Sequence, residues 1–388
     1  MAERDYDVVV LGATGFTGAL TVQYLAGRAD GNTRLALAGR NRTKLEDVRS
    51  RLSPAHAQLP LLEADTDDRV SLDRVASATR VLISTVGPYI KYGEEVVAAC
   101  AQAGTDYVDL TGEPEFVDRM WLRYHDRAQR SGARLVHSCG FDSIPHDLGV
   151  LFTVNQLPEQ VPISVSGFVR TRGHFSGGTY QTAITAFSRL PQIARTAAER
   201  RRKEERPRDR RVRGVAGRPR HDDVAGGWVV PMPTIDPQVV LRSARALERY
   251  GPDFSYSHYF VTRHLATLTP IAAGGAAAIA LAQLPPTRDL LLKLKPSGAG
   301  PSPEQRERAW FNVRFLGEGG GKRVITEVSG GDPGYGETAK MLGESALCLA
   351  HDQLPERAGQ LTTAVAMGEK LIERLKMAGI QFRVVEHG

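Results

Sequence analysis

Gly12-Ala13-Thr14-Gly15-Phe16-Thr17-Gly18 directly follows the apolar run Val8-Val9-Val10-Leu11 and leads into a helix-like stretch. Few folds accommodate three glycines in that position. At a strand-to-helix turn of this kind Gly12 makes the tight bend, Gly15 lets backbone approach a pyrophosphate, and Gly18 permits close packing of helix on strand. The helix start adds N–H donors and the positive end of its dipole. The spacing is GxxGxxG rather than GxGxxG, and a tight turn without ligand is the plainer alternative. Context decides between them. Short apolar runs at 7–11, 35–38, 59–62, 81–85, 107–110 and 134–137 alternate with helix-like stretches near 16–27, 41–52, 69–77, 92–103 and 115–131. Six strands with intervening helices predict an α/β fold, a Rossmann-type doubly wound parallel sheet, over 1–150.

The second strand ends in Gly39-Arg40-Asn41-Arg42-Thr43-Lys44, with no carboxylate where an NAD-binding protein holds the ribose hydroxyls. Three cations within five residues suit a 2′-phosphate. The reading is therefore NADP(H), held through Arg40 with Asn41, Arg42 or Lys44 assisting. Asp65, past the third strand, is placed for the adenine edge, although a turn or capping role in Ala64-Asp65-Thr66-Asp67-Asp68 explains it equally well. Thr85, Val86, Gly87 and Pro88 leave the fourth strand where nicotinamide and ribose belong.

After residue 150 the pattern changes to longer strands at 163–172, 308–316 and 322–329 with one helix starting near Gly178. This predicts a second, mixed α+β domain for substrate and dimerisation over 151–337. The segments 340–351 and 363–378 have apolar residues at helical spacing, so helices within 338–388 are expected to pack back on the first domain. The stretch 265–284 carries no charge, but Pro270, Gly274, Gly275 and many alanines favour a buried or interfacial helix over a membrane span. The net charge of +6 is local: residues 195–220 hold 12 Lys or Arg against 4 acidic residues, leaving −2 over the other 362. That argues against nucleic acid as a partner and for a solvated helix end and loop, with an acidic protein or membrane face as second choice. Cys100, Cys139 and Cys348 are too scattered for a disulfide framework or a CxxC zinc site, and no metal is expected. With a polar start before the first strand and no secretory pattern, the chain reads as cytoplasmic, with peripheral membrane association as the variant.

The glycine turn, Ala38-Gly39-Arg40, Ser84-Thr85-Val86-Gly87-Pro88-Tyr89, Tyr107-Val108-Asp109-Leu110-Thr111-Gly112-Glu113 and above all Ser138-Cys139-Gly140-Phe141-Asp142-Ser143-Ile144-Pro145-His146-Asp147-Leu148-Gly149 make a distinctive set. Together they resemble the saccharopine dehydrogenase-like oxidoreductases, most closely the actinobacterial branch of trans-acting enoyl reductases. Thr326-Glu327-Val328-Ser329-Gly330-Gly331-Asp332-Pro333-Gly334-Tyr335 and Ala366-Met367-Gly368 extend the likeness across nearly the whole chain. The resemblance implies an NADPH-dependent reductase of a carbon–carbon double bond in a lipid- or polyketide-type acyl chain. The chain would be carrier-bound and built by a partner polyketide synthase. His146 stands where serine is more usual and Thr363 where proline is expected, departures that bear on substrate more than fold.

Enoyl reduction needs a hydride at the β carbon, a polarised thioester carbonyl and a proton for the α carbon. Tyr89, next to the nicotinamide loop, is the first candidate donor, with interdomain packing the plainer role. Asp142 and Ser143 are the other candidates, and capping of a helix with Pro145 in its first turn explains both without chemistry. Arg170 and Arg172, before Gly177 and Gly178, suit a carboxylate or phosphopantetheine phosphate. Two alternatives remain open: an amino acid dehydrogenase of the saccharopine type, and a non-catalytic NADP-binding scaffold.

Overall fold

Val8, Val9 and Val10 have no solvent exposure, as a strand covered on both faces requires. They lie in an interior strand of one of two sheets in a computed structural model that describes all residues except 1–3, 29–30, 174–176, 233, 265, 267–273, 275–277, 295–300 and 388. The chain forms two units, Met1–Phe141 with Tyr335–Arg374, and Asp142–Gly334 with Leu375–Gly388.

The first unit holds β1 (Tyr6–Leu11), β2 (Leu35–Gly39), β3 (Leu61–Glu63), β4 (Thr79–Ser84), β5 (Asp106–Asp109), β6 (Arg134–Val136) and, from the far end of the chain, β14 (Gly359–Leu361). Their order is β14-β6-β5-β4-β1-β2-β3, every pair parallel. The order reverses between β1 and β4, and Leu11 registers with both Ala38 and Ser84, so the carboxyl ends of β1, β2 and β4 line up. Open α/β sheets bind ligands at such a switch point. The helix Phe16–Arg28 buries Thr21, Val22, Leu25 and Ala26, a three-and-four spacing that turns one face inward. Against it lies the helix Gly336–His351, whose fully buried Glu344 accepts from Tyr24 Oη at 2.6 Å, Arg28 Nε at 3.0 Å and Arg374 Nη1 at 3.3 Å. Three donors on one buried carboxylate offset its desolvation and tie the returning segment to the first helix.

The second unit contains β7 (Ile163–Arg172), β8 (Arg211–Gly214), β9 (Arg220–Asp222), β10 (Gly227–Pro231), β11 (Asp253–Thr262), β12 (Trp310–Gly319), β13 (Lys322–Gly330) and β15 (Gln381–His387). The order is β15-β13-β12-β7-β11-β10-β9, with β8 paired to the other half of the β11 edge. Both β7 and β8 run parallel to β11, and the remaining pairs are antiparallel. The helix Ile144–Val154 packs on β7, β12 and β13 and is buried along almost its whole length.

Three expectations need correction. The units divide after Phe141, not at 150, because the helix Ile144–Val154 finds its apolar partners on the second sheet. The 338–388 segment returns to the first unit only as far as Arg374; β15 then pairs with β13. The basic 195–220 segment is no simple helix end and loop, since β8 lies within it and β9 starts at its last residue. In addition Arg200 is buried in the helix Leu190–Lys203 and pairs with Glu204, which also meets Arg242 and Arg245. Most of 265–284 lies outside the described residues. Among the described residues, no helix is long and apolar enough to cross a membrane.

Candidate functional site

In the first unit the glycine turn closes on the end of β4. Thr85 Oγ1 donates to the carbonyls of Leu11 and Gly12, each at 3.1 Å, and Gly12 has φ +86°. A Cβ at Gly12 would stand 2.7 Å from Thr85 Oγ1, and one at Gly18 only 2.1 Å from the Gly12 carbonyl oxygen. Gly15 differs: a Cβ there would meet only the Gly12 oxygen, at 3.3 Å. Thr14 and Gly15 are exposed, Ala13 is buried, and Phe16 and Thr17 open the helix. The result is an open backbone cradle at a helix N-terminus, a fit to a pyrophosphate. Phe16 packs edge-on against Tyr335, ring centroids 4.8 Å apart, so the returning segment braces the turn.

Arg40 and Lys44 are exposed just past β2 and make no ion pair among the described residues. Arg42 is engaged with Glu46 at 3.4 Å and Glu63 at 3.9 Å. Asn41 caps the helix Arg42–Ser50, its side chain accepting from Lys44 N at 2.9 Å, which identifies it as a positioning residue. Asp65 Oδ1 accepts from Asp67 N at 3.2 Å and shapes the turn, while Asp68 caps the next helix. Val86 and Pro88 are half-buried and Gly87 is exposed.

Two buried carboxylates, missed as functional in the sequence, shape this end of the sheet. Glu113 accepts from Tyr89 N at 2.8 Å and Ile90 N at 2.9 Å, and burial pushes its carboxyl up despite those bonds. Asp109 accepts from Thr111 N at 3.0 Å and Ser138 N at 2.9 Å on Oδ1, and from Tyr107 Oη at 3.0 Å and His137 Nδ1 at 2.6 Å on Oδ2. The signal was present in Asp109-Leu110-Thr111-Gly112-Glu113, two carboxylates and a threonine within five residues between strand and helix. Tyr89 is buried, donates to the Ser84 carbonyl at 2.9 Å and packs on Phe116. Burial pushes its phenol well above the ordinary range. Tyr89 thus braces the end of β4, a packing role within its own unit rather than that of an accessible donor.

The second unit begins with Asp142 and Ser143. Ser143 is the N-cap residue of the helix Ile144–Val154, with Pro145 in the first turn as expected, but its hydroxyl does not cap. It donates instead to Asp236 Oδ1 at 3.2 Å, and its backbone is held at φ +122°, a strained value for a residue with a Cβ. Asp236 also accepts from Thr234 Oγ1 and faces His146 and His258. Burial works to raise the Asp236 carboxyl, yet the two imidazoles hold it well below the usual range; burial lowers the His258 imidazole against the upward pull of Asp236. Asp142 is exposed as a residue, while its carboxyl is surrounded by protein atoms. Desolvation, then the Asp236 charge, pushes its carboxyl up to about 6, with His146 pulling the other way. His146, Asp236 and His258 offer ligand atoms all within 4.8 Å of one another, a group that can hold a metal ion and that the sequence did not reveal. Arg170 donates to the carbonyls of Ala225 and Gly226, so its guanidinium is already engaged, and Arg172 is exposed.

Residues 8–136 match the family model for the saccharopine dehydrogenase NADP binding domain. The whole chain is 37% identical, over 411 aligned positions, to a Mycobacterium tuberculosis protein named for trans-acting enoyl reduction, covering 98% of this chain and 97% of that one. Trans-acting enoyl reductases of Mycobacterium ulcerans and Mycobacterium bovis are 36% and 34% identical with the same coverage. Apo saccharopine dehydrogenase (L-Glu forming) from Saccharomyces cerevisiae shares the fold, with a TM-score of 0.55 at 12% identity over 98% of this chain and 100% of that one.

Proposed function

The chain belongs to the saccharopine dehydrogenase-like family, in the branch of the trans-acting enoyl reductases, and is an NADP-dependent oxidoreductase; from this we propose that it reduces the carbon–carbon double bond of an enoyl thioester. The observation that carries the reading is likeness at 37% identity over both units rather than over the cofactor domain alone. NADPH, when bound, supplies the hydride for the β carbon.

The protein's own residues bind, orient and protonate. The Gly12–Gly18 backbone and the helix start hold the pyrophosphate, and Arg40 with Lys44 holds the 2′-phosphate. Asn41 orders the loop between those cations, Asp65 borders the adenine, and the segment from Thr85 to Pro88 borders the ribose and nicotinamide. Arg40→Ala is expected to weaken NADPH binding roughly 10- to 100-fold, the worth of a charge-assisted phosphate contact. NADH binding should stay within about threefold. Calorimetric titration of both nucleotides checks this, and an equal loss for the two would remove the 2′-phosphate assignment.

Of the three candidate donors, Asp142 alone is an exposed residue, with a carboxyl raised toward neutral pH; Tyr89 and Ser143 are buried and engaged with Ser84 and Asp236. We therefore assign delivery of the α-carbon proton to Asp142. Asp142→Asn should lower kcat roughly 100-fold or more with NADPH affinity unchanged. A loss under about threefold in steady-state turnover of a 2-enoyl thioester would reassign the proton to solvent.

The substrate is proposed to be an acyl chain of lipid or polyketide type carried by a partner synthase. Arg201, Arg202 and Lys203 are exposed at the end of their helix and suit an acidic carrier surface. Exchanging all three for glutamate should cut turnover of a carrier-bound enoyl chain by about tenfold while sparing the same acyl group on free pantetheine. Equal rates on both would detach this segment from substrate delivery.

A further inference from the structure

His146 lies in the first turn of the helix Ile144–Val154, Asp236 opens the helix Asp236–Ala246, and His258 sits in the middle of β11. All three are buried, with exposures of 2%, 2% and 6%. Two imidazoles and a carboxylate away from water cost free energy unless they are paired or ligated. Nδ1 of His146 lies 3.2 Å from Asp236 Oδ1, and Nε2 of His258 lies 3.5 Å from Oδ2. The second gap exceeds the roughly 2.7–3.2 Å of a good N–H···O bond. Nε2 of His258 meets no hydrogen-bond partner among the described residues.

Each gap is close to the roughly 3.4 Å edge of a ligand tetrahedron drawn around a zinc ion at about 2.0–2.1 Å, with His146 against one oxygen of Asp236 and His258 against the other. With one ligand atom from each residue, all three lie within 4.8 Å of one another, so closing on an ion requires contractions of at most about 1.4 Å. The surroundings also orient the ligands. The Tyr256 hydroxyl sits 2.9 Å from His258 Nδ1 and leaves Nε2 for the cluster, while Thr234 and Ser143 donate to the two oxygens of Asp236. Outer bonds of this type fix the ring orientation and basicity of metal ligands. Two imidazoles with one carboxylate select first-row transition ions over calcium or magnesium, which take all-oxygen sites.

From this geometry we infer that His146, Asp236 and His258 bind one divalent first-row transition ion of the zinc type, with water as the fourth ligand. The ion links the heads of two helices to β11 and so anchors the Asp142–Ser143 turn. The inference stands on the second unit alone and is independent of the acyl substrate proposed above.

Elemental analysis of the purified full chain by plasma mass spectrometry should find about one zinc or similar ion per chain. Protein stripped with a chelator should melt about 5–10 °C lower and recover on adding zinc sulfate. Cobalt(II) added to the stripped protein should give the visible bands of a tetrahedral nitrogen–oxygen site. His258→Gln should abolish those bands, and His146→Ser, which shortens the side chain at a helix start, should do the same while the helix content stays unchanged. A purified chain without metal, whose melting ignores chelator and which gives no cobalt bands, would overturn the site. It would leave a buried cluster in which Asp236 simply accepts from both imidazoles.

Discussion

Asp109→Ala is expected to destabilise the protein by about 3–5 kcal/mol, the range for removing one partner from a buried ionic or hydrogen-bonded network. The carboxylate is fully buried and is the acceptor for two backbone N–H groups, the Tyr107 phenol and the His137 ring. Alanine leaves four donors facing an apolar gap, and each buried unpaired donor costs about 1–3 kcal/mol before relaxation. The damage is not confined to stability. Thr111 and Ser138 begin the segments that leave β5 and β6, so the turns after both strands lose the acceptor that aligns them. Asp109→Asn keeps the shape and one acceptor oxygen but presents an amide to the donors on Oδ2, and should lose about half as much. Urea unfolding of the three proteins checks the order. A midpoint for Asp109→Ala equivalent to less than about 1 kcal/mol would show that these bonds are replaced by water.

Gly18→Ala and Gly15→Ala are expected to separate folding from cofactor binding. At Gly18 the new Cβ would stand 2.1 Å from the Gly12 carbonyl oxygen and 2.8 Å from Thr85 Oγ1. Backbone cannot yield cheaply to such a contact, so the helix Phe16–Arg28 must lift off the turn, carrying its N-terminal donors with it. NADPH affinity should fall by roughly 100-fold or more, about 2.7 kcal/mol, and the melting temperature should fall as well. At Gly15 the new methyl meets only one protein atom within 4 Å, the Gly12 carbonyl oxygen at 3.3 Å, a contact eased by a few tenths of an ångström. That variant should melt like the parent yet lose a similar share of NADPH affinity, because the methyl takes the space the pyrophosphate needs. Nucleotide titration together with melting curves distinguishes the pair. Binding within about threefold of the parent for either variant would move the pyrophosphate away from this turn.

Much of the first unit was legible because its information is local. A glycine turn, six apolar runs and the Arg40 cluster each declare themselves within a few residues, and β1, β2 and β4 fall within two residues of their expected bounds. β14 escaped notice because three residues cannot show a period; Gly359–Leu361 is a strand only because β6 offers it an edge. β8 and β9 were hidden by charge, since arginines at 211, 213 and 220 read as solvated loop until β11 and β10 supply partners. β11 carries an alternation readable in the sequence, with Phe254, Tyr256 and His258 on one face. The site divides the same way. The cofactor cradle lies within seven consecutive residues, whereas His146, Asp236 and His258 are separated by about ninety and twenty residues and meet only through tertiary packing. Ser143 shows the limit most plainly: its place before a helix predicts a cap, and only a distant Asp236 redirects its hydroxyl.

The central claim is transfer of hydrogen from NADPH to a carbon–carbon double bond, and isotope transfer tests it directly. A single turnover with NADPH deuterated at the transferred position and a 2-enoyl pantetheine thioester should give a saturated acyl product with one deuterium on the β carbon and a solvent hydrogen on the α carbon. Bound NADPH with no deuterium in the acyl chain, or deuterium delivered instead to an amino acid formed from a 2-oxo acid and an amine, would contradict it.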